Sequence, residues 1–404
     1  MKDRRLWIIF LIIFVNLLGF GIILPLLPYY VESLGAGAIT IGLLSAAYSI
    51  FQLVAAPILG DLSDKYGRRP VLLFSIAGTT ISFFLMGWAQ TLTFLFIARM
   101  IDGASGGNIS TAQAYIADVT SPEERTQSMG MMMAAFSLGF ILGPALGGLL
   151  SVYGYAVPAY VAGAVALVST LLTYFFLPES LPASVKAQVA VEKKKRRNPL
   201  FMFHDFKDAL QHAEVGLLLT ISFLMMFGFT LMQGTFALFT EHTLHLTARS
   251  NGLIFAYMGI LGILMQMVFL KPILKRVPEH RAILWSIVVM AMGLGLIAVG
   301  SLVSVFVGVT FLSLGNGISG PLLAGHISKS VSATEQGNIA GMNQSVGSMA
   351  RLIGPVLGTL LYSSLGKQSP YYLATGVLFL TAWYGWKNLR PVEVGVVERV
   401  GLAH

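Results

Sequence analysis

Gly60-Asp61-Leu62-Ser63-Asp64-Lys65-Tyr66-Gly67-Arg68-Arg69-Pro70 sets five charged residues between two long apolar runs, 40–60 and 70–90. The concentration stands out, because the 404-residue chain is 55% apolar and only 11% charged. A soluble domain carries about 25% charged residues. A chain this poor in charge has too little polar surface for water, and lipid is the solvent that fits. Within the stretch, Gly60 permits close helix approach and Gly67 a tight turn. Asp64 and Arg68 can pair at the membrane surface.

Outward from that turn, mostly apolar runs of about 20 residues, the length that spans a bilayer, recur along the chain. They fall at 6–28, 40–60, 70–90, 92–116, 127–150, 156–177, 214–240, 250–271, 282–301, 304–327, 336–361 and 370–387. The expectation is an all-α membrane protein with twelve transmembrane helices. The ninth and tenth spans are the hardest to divide, since no charge marks the turn near Gly300. No signal-peptide cleavage pattern follows the first run, so Leu6 to Pro28 is expected to stay as a helix.

Charge placement orients the chain. With a cytoplasmic N-terminus, 22 of the 26 Lys and Arg residues lie in cytoplasmic segments. Arg249 and Lys367 alone fall on the opposite side, and Arg99 and Arg351 within spans. The positive-inside rule then predicts a multi-pass protein of the inner (plasma) membrane with both termini cytoplasmic. The net charge of +8 belongs to basic clusters that face anionic headgroups. Membrane lipid, not nucleic acid, is the expected partner. Cysteine is absent, which excludes a disulfide framework, a thiolate metal site and a cysteine nucleophile. No nucleotide-binding loop, metal-ligand helix or nucleophile–base motif occurs, so neither an enzyme nor a cofactor or metal is expected.

Residues 178–213 form the one long polar connection, with Pro178, Pro182, Pro199 and the basic run Lys193 to Arg197. The run reads as a topology anchor at anionic lipid, a partner site being the other reading. An amphipathic stretch lies near Phe201–Leu210. The organisation expected is a six-helix bundle over 1–177, a cytoplasmic linker over 178–213, and a second six-helix bundle with a short cytoplasmic tail over 214–404. The halves repeat. A shift of 211 residues lays Gly143-Pro144-Ala145-Leu146-Gly147 on Gly354-Pro355-Val356-Leu357-Gly358. It also pairs Gly106 with Gly317, Glu124 with Glu335, Gly130 with Gly341 and Ser137 with Ser348. A same-orientation repeat implies two bundles related by a pseudo-two-fold axis along the membrane normal.

The opening stretch resembles the signature loop of the major facilitator superfamily. The resemblance implies a surface charge cluster of Asp64, Arg68 and Asp118, a conformational latch for the outward-facing state. In the second half the offset places Lys271 to Arg281 at this loop, where the pattern has decayed. Arg99-Met100-Ile101-Asp102-Gly103 in the fourth span and Leu18-Gly19-Phe20-Gly21 in the first agree with the family. Gly139 to Gly148, with Gly143, Pro144 and Gly147, looks like its antiporter motif, which favours drug–proton exchange over import. Small-residue packing alone would explain much of that segment. The resemblance is closest to the tetracycline-resistance exporters, including Tyr115-Ile116-Ala117-Asp118 and Leu177-Pro178-Glu179-Ser180. The chain departs from them at Asn16, where they carry a helix 1 acid, and has no carboxylate in spans 3 and 9.

Ionisable groups inside spans are costly and are functional candidates by default. Asp102 is the carboxylate nearest the middle of any span, and Arg99 shares its helix face three residues earlier. The pair reads either as structural or as proton-coupling, with Asp102 the carrier and Arg99 biasing its protonation. Arg351 is a further charge in a span, and His326 sits near a cytoplasmic end, where a solvated ring is expected. Polar cavity candidates are Asn16, Tyr48, Gln52, Asn108, Gln113, Gln233, Gln266, Asn343, Gln344 and Arg351, with Met131, Met132, Met133, Met225 and Met226 available for an adaptable apolar pocket. The function expected is proton-coupled export of lipophilic small molecules by a monomer. The alternative is carriage of a metabolite such as a sugar, lipid or organic anion.

Overall fold

A computed structural model describes residues 4–181, 213–330 and 336–389. The basic run and the amphipathic stretch of the 178–213 connection lie outside the described residues. Every regular element among the described residues is helical.

The helices are α1 (Arg4–Ser33), α2 (Ala38–Tyr66), α3 (Arg68–Trp88), α4 (Leu92–Gly106), α5 (Ile109–Val119), α6 (Pro122–Leu150) and α7 (Ala156–Phe176). They continue as α8 (Ala213–Leu244), α9 (Ala248–Leu264), α10 (Leu270–Leu274), α11 (Glu279–Ala298), α12 (Leu302–Lys329), α13 (Gln336–Leu365) and α14 (Ser369–Asn388). Among the described residues, nine helices are long and apolar enough to cross a membrane. The expected spans at 92–116, 336–361 and 370–387 are helical too, as α4 with α5, α13 and α14, but are not among those nine.

Local chemistry sets the boundaries. Gly67, at φ +113°, makes the turn between α2 and α3, a backbone conformation closed to most side chains. The turn near Gly300 is present: Gly300 has φ +76°, and Ser301 caps α12 through reciprocal bonds with Ser304. Two interruptions break the expected continuity. The fourth span divides at Gly107-Asn108, and Met265–Phe269 forms a π-helical turn between α9 and α10. The first is steric. A Cβ on Gly107 would lie 2.8 Å from the Ala56 nitrogen of α2, so the chain bends where only hydrogen fits.

Packing divides the chain into two compact units, Met1–Arg197 with Thr240–Tyr257, and Asn198–Phe239 with Met258–His404. In the first unit α1 packs along α6, α3 along α7, and α2 along α4. In the second, α11 packs against α12 and α14. The repeated glycine–proline segment is a packing device in each. A Cβ on Gly143 of α6 would meet the Leu18 carbonyl of α1 at 2.6 Å, and one on Gly147 the Ile22 carbonyl at 2.6 Å. In the second unit a Cβ on Gly358 of α13 would meet the Leu231 carbonyl of α8 at 2.8 Å. Small residues thus let backbones approach closely where lipid supplies no hydrophobic drive between helices.

Candidate functional site

Arg99 and Asp102 lie one turn apart on α4, and both are buried, at 3% and 6% exposure. Arg99 Nη1 donates to Asp102 Oδ2 at 3.0 Å. The guanidinium also stands over the Tyr48 ring of α2, 4.3 Å from its centre, where the ring's negative face attracts a cation. Tyr48 is fixed in turn. Gln52 donates to its hydroxyl at 3.0 Å, and Phe20 of α1 lies against its ring, centroids 5.6 Å apart. Gly103 lets the α4 backbone rest against the Tyr48 carbonyl. Arg99 Nε has no hydrogen-bond partner among the described residues. A lone buried charge is costly, so each member holds the other in place.

A second, neutral polar group joins α1, α3 and the α4–α5 break. Asn16 donates to Asn108 Oδ1 at 3.1 Å and accepts from Thr79 at 3.3 Å. Asn108 is fully buried at the α4–α5 break, and its amide nitrogen lacks a partner among the described residues. The remaining candidates scatter. Gln113, Gln266 and Gln344 are exposed, while Gln233 and Asn343 are half-buried, as are Met131 and Met226. Met132 and Met225 are buried, and nothing is described of the Met133 side chain. Asn343 accepts from Ser222 at 2.6 Å, and Arg351 donates to Ser348 at 3.1 Å.

At the α2–α3 turn the charge cluster forms. Arg68 pairs with Asp64 and, through Nε, with Asp118 Oδ2 at 3.3 Å. Sequence reasoning missed the rest of this cluster. Glu179 Oε1 accepts from the Arg68 backbone nitrogen at 2.9 Å, placing a carboxylate on the positive end of α3. Ser180 donates to Asp118 at 2.9 Å, Arg68 donates to Ser63 at 2.6 Å, and Tyr115 donates to the Pro178 carbonyl at 2.9 Å. The 115–118 and 177–180 motifs therefore meet in space; their shared presence was the one signal available.

Two further sites differ from or add to expectation. His326 is not solvated; it is 1% exposed. Glu32, Glu241 and His242, all in the first unit, bring their ligand atoms within 4.8 Å of one another. His242 Nε2 lies 3.1 Å from Glu32 Oε1, a meeting that a separation of about two hundred residues hides from the sequence.

Comparison with known proteins places this geometry. The family model "Major Facilitator Superfamily" matches residues 9–351 and 221–401. The chain is 29% identical to Multidrug resistance protein 2 of Bacillus subtilis (strain 168) over 94% of each chain. It is 32% identical to the class H tetracycline resistance protein of Pasteurella multocida over 89% of this chain and 90% of that one. Among solved structures it is similar to the human organic anion transporter MFSD10, with a TM-score of 0.69 and 26% identity, covering 95% of this chain and all of that one. The nine apolar helices, the charged α2–α3 turn and these matches lead to one assignment: the chain is a multi-pass membrane transporter belonging to the major facilitator superfamily.

Proposed function

We propose that this protein is a proton-driven exporter of lipophilic small molecules, working by alternating access of two six-helix bundles. The observation that carries the reading is the Arg99–Asp102 pair, buried on a helix of the first unit. Asp102 is the carboxylate available to carry a proton across mid-membrane, since α3 and α11 offer none at that depth. Burial disfavours its charged form and Arg99 favours it. A change in water access on switching states tips that balance.

In this reading Asp64, Arg68 and Asp118 act as the latch, biasing state populations through contacts made in one state and lost in the other. Gly143, Pro144 and Gly147 keep α6 seated on α1. The chain then spans twelve times with both termini cytoplasmic, residues 178–213 joining bundles at 1–177 and 214–404, and acts as a monomer. The similarity to multidrug and tetracycline resistance proteins supports efflux as the direction.

The test is proton flux on substrate addition in proteoliposomes. Asp102→Asn is expected to abolish uphill, proton-coupled export while keeping substrate binding and downhill exchange. Intact coupling in that variant would overturn the assignment. The second reading, carriage of an organic anion, draws on the similarity to the human organic anion transporter and on Arg351 as an anion partner. Uptake or efflux of a carboxylate-bearing dye that is lost in Arg351→Gln would favour it.

A further inference from the structure

The 211-residue offset lays Lys275 on Asp64, Glu279 on Arg68 and Lys329 on Asp118. Each charge of the first-half cluster meets its opposite in the second half. The pattern that looks decayed in sequence therefore persists with its sign reversed. Lys329 Nζ donates to Glu279 Oε2 at 2.5 Å, joining the last turn of α12 to the first of α11, as Asp118 and Arg68 join α5 to α3. Lys275 is exposed.

The same offset lays His326 on Tyr115. Tyr115 is a fully buried anchor whose hydroxyl is satisfied by the Pro178 carbonyl. His326 is buried to the same degree, yet neither ring nitrogen has a hydrogen-bond partner among the described residues. A position that needed only volume would be better filled by an apolar ring, because an unmet buried polar atom is costly. The ring faces a carboxylate instead. Nδ1 lies 3.7 Å from Glu279 Oε1, too far for a hydrogen bond but close enough for strong attraction once the ring is charged. Glu279 thus stands between two partners, with Oε2 on Lys329 and Oε1 toward His326.

We propose that His326 is a proton-binding site of the second unit, and that its proton competes with Lys329 for Glu279, loosening the α11–α12 pair when the ring is charged. The charged and titratable groups around it are Glu279, His280 and Arg281 at the start of α11 and Lys329 on α12. Lys271, Lys275 and Arg276, just before α11, are exposed. The π turn Met265–Phe269 carries no ionisable group, and α13 carries Arg351 and Tyr362. Glu279 is therefore the one acid among them, and the ring's proton and the Lys329 ammonium draw on the same carboxylate. The inference is independent of antiport, because it concerns protonation and pairing rather than cargo.

Nitrogen NMR of labelled histidine, in lipid nanodiscs between pH 4.5 and 9, tests it. The chain would keep His326 as its only histidine, the other six of its seven changed to Asn or Gln. Should that chain fail to fold, the signal missing from His326→Gln in the full chain serves instead. Glu279→Gln is expected to weaken proton binding at the ring about tenfold, the size of effect an adjacent opposite charge exerts. Lys329→Ala is expected to strengthen it several-fold. Shifts of opposite sign would support the competition. A ring that takes no proton down to pH 4.5, or an affinity that neither substitution changes by a factor of two, would overturn it.

Discussion

Two arginine–carboxylate pairs in the first unit use the same groups at different depths. Arg99 and Asp102 keep side-chain exposures of only 4% and 8% and have each other and one aromatic face. Arg68, at 11% side-chain exposure, meets two carboxylates, each at 23%, and shares in a mesh with Ser63, Glu179 and Ser180. The mesh gives one arginine several partners. The buried pair has no replacement. Depth therefore separates the two pairs: breaking the rim pair exposes its charges to solvent, whereas breaking the buried pair strands a charge, and the proposed latch and proton site differ in the same way.

The largest effect expected from that contrast is on stability. Arg99→Leu leaves Asp102 buried and unpaired, which costs about 3–5 kcal/mol. Arg99→Leu with Asp102→Leu removes both charges and should recover most of that loss while leaving the protein uncoupled. Thermal unfolding in detergent is the measurement. A single variant as stable as the parent would mean that Asp102 sheds its charge or meets water once Arg99 is gone, and that the buried pair is not held by mutual charge.

At the rim the expected change is kinetic. Asp64→Asn and Arg68→Ala should alter stability by no more than about 1 kcal/mol, as for partly exposed ion pairs. Turnover should fall several-fold with substrate affinity nearly unchanged, as the proposed latch requires, since a latch acts on state populations rather than on cargo. Binding and transport measured on the same preparation separate the two. Transport at the parent rate in both variants would remove the latch.

How much of this was visible in sequence follows from what hydropathy encodes. Apolar runs report that a segment is covered, by lipid or by protein, so the helix positions and the Gly300 turn were legible. The Gly-Pro repeat was legible because close backbone approach leaves only small residues at fixed spacing. The α4–α5 break and the π turn were not, since both arise from neighbours that the local pattern does not name, Ala56 against Gly107 being one. Arg99 and Asp102 stood out by scarcity. Glu179 did not, because its value lies in accepting from the first nitrogen of a helix about a hundred residues away. His326 was misjudged for the same reason: nearness to a span end said nothing about the packing of α11 over it. Gln113 and Gln344 drew notice as polar residues in apolar runs, and both are exposed, as a residue facing an aqueous cavity would be.

The smallest effect expected is on tetracycline. The exporters that the sequence resembles set an acid in helix 1 where this chain has Asn16, and a metal-chelated tetracycline is a cation. Here the Asn16 amide donates to Asn108 and accepts from Thr79, and it offers no charge. Asp102 is neutralised by Arg99 at 3.0 Å. A low-dielectric site magnifies the loss of each attractive charge, which leaves a lipophilic cargo less affected than a cationic one. Cells expressing the protein should therefore tolerate lipophilic dyes and quinolone-like compounds at raised doses, with almost no change in tolerance to tetracycline. Asn16→Asp puts the question directly, by adding a second acid to the first unit where the resembling exporters carry theirs. A gain of tetracycline resistance in Asn16→Asp would show that charge at this depth selects the cargo. High resistance in the parent chain, lost in Asp102→Asn, would show instead that one buried acid suffices to hold the cation.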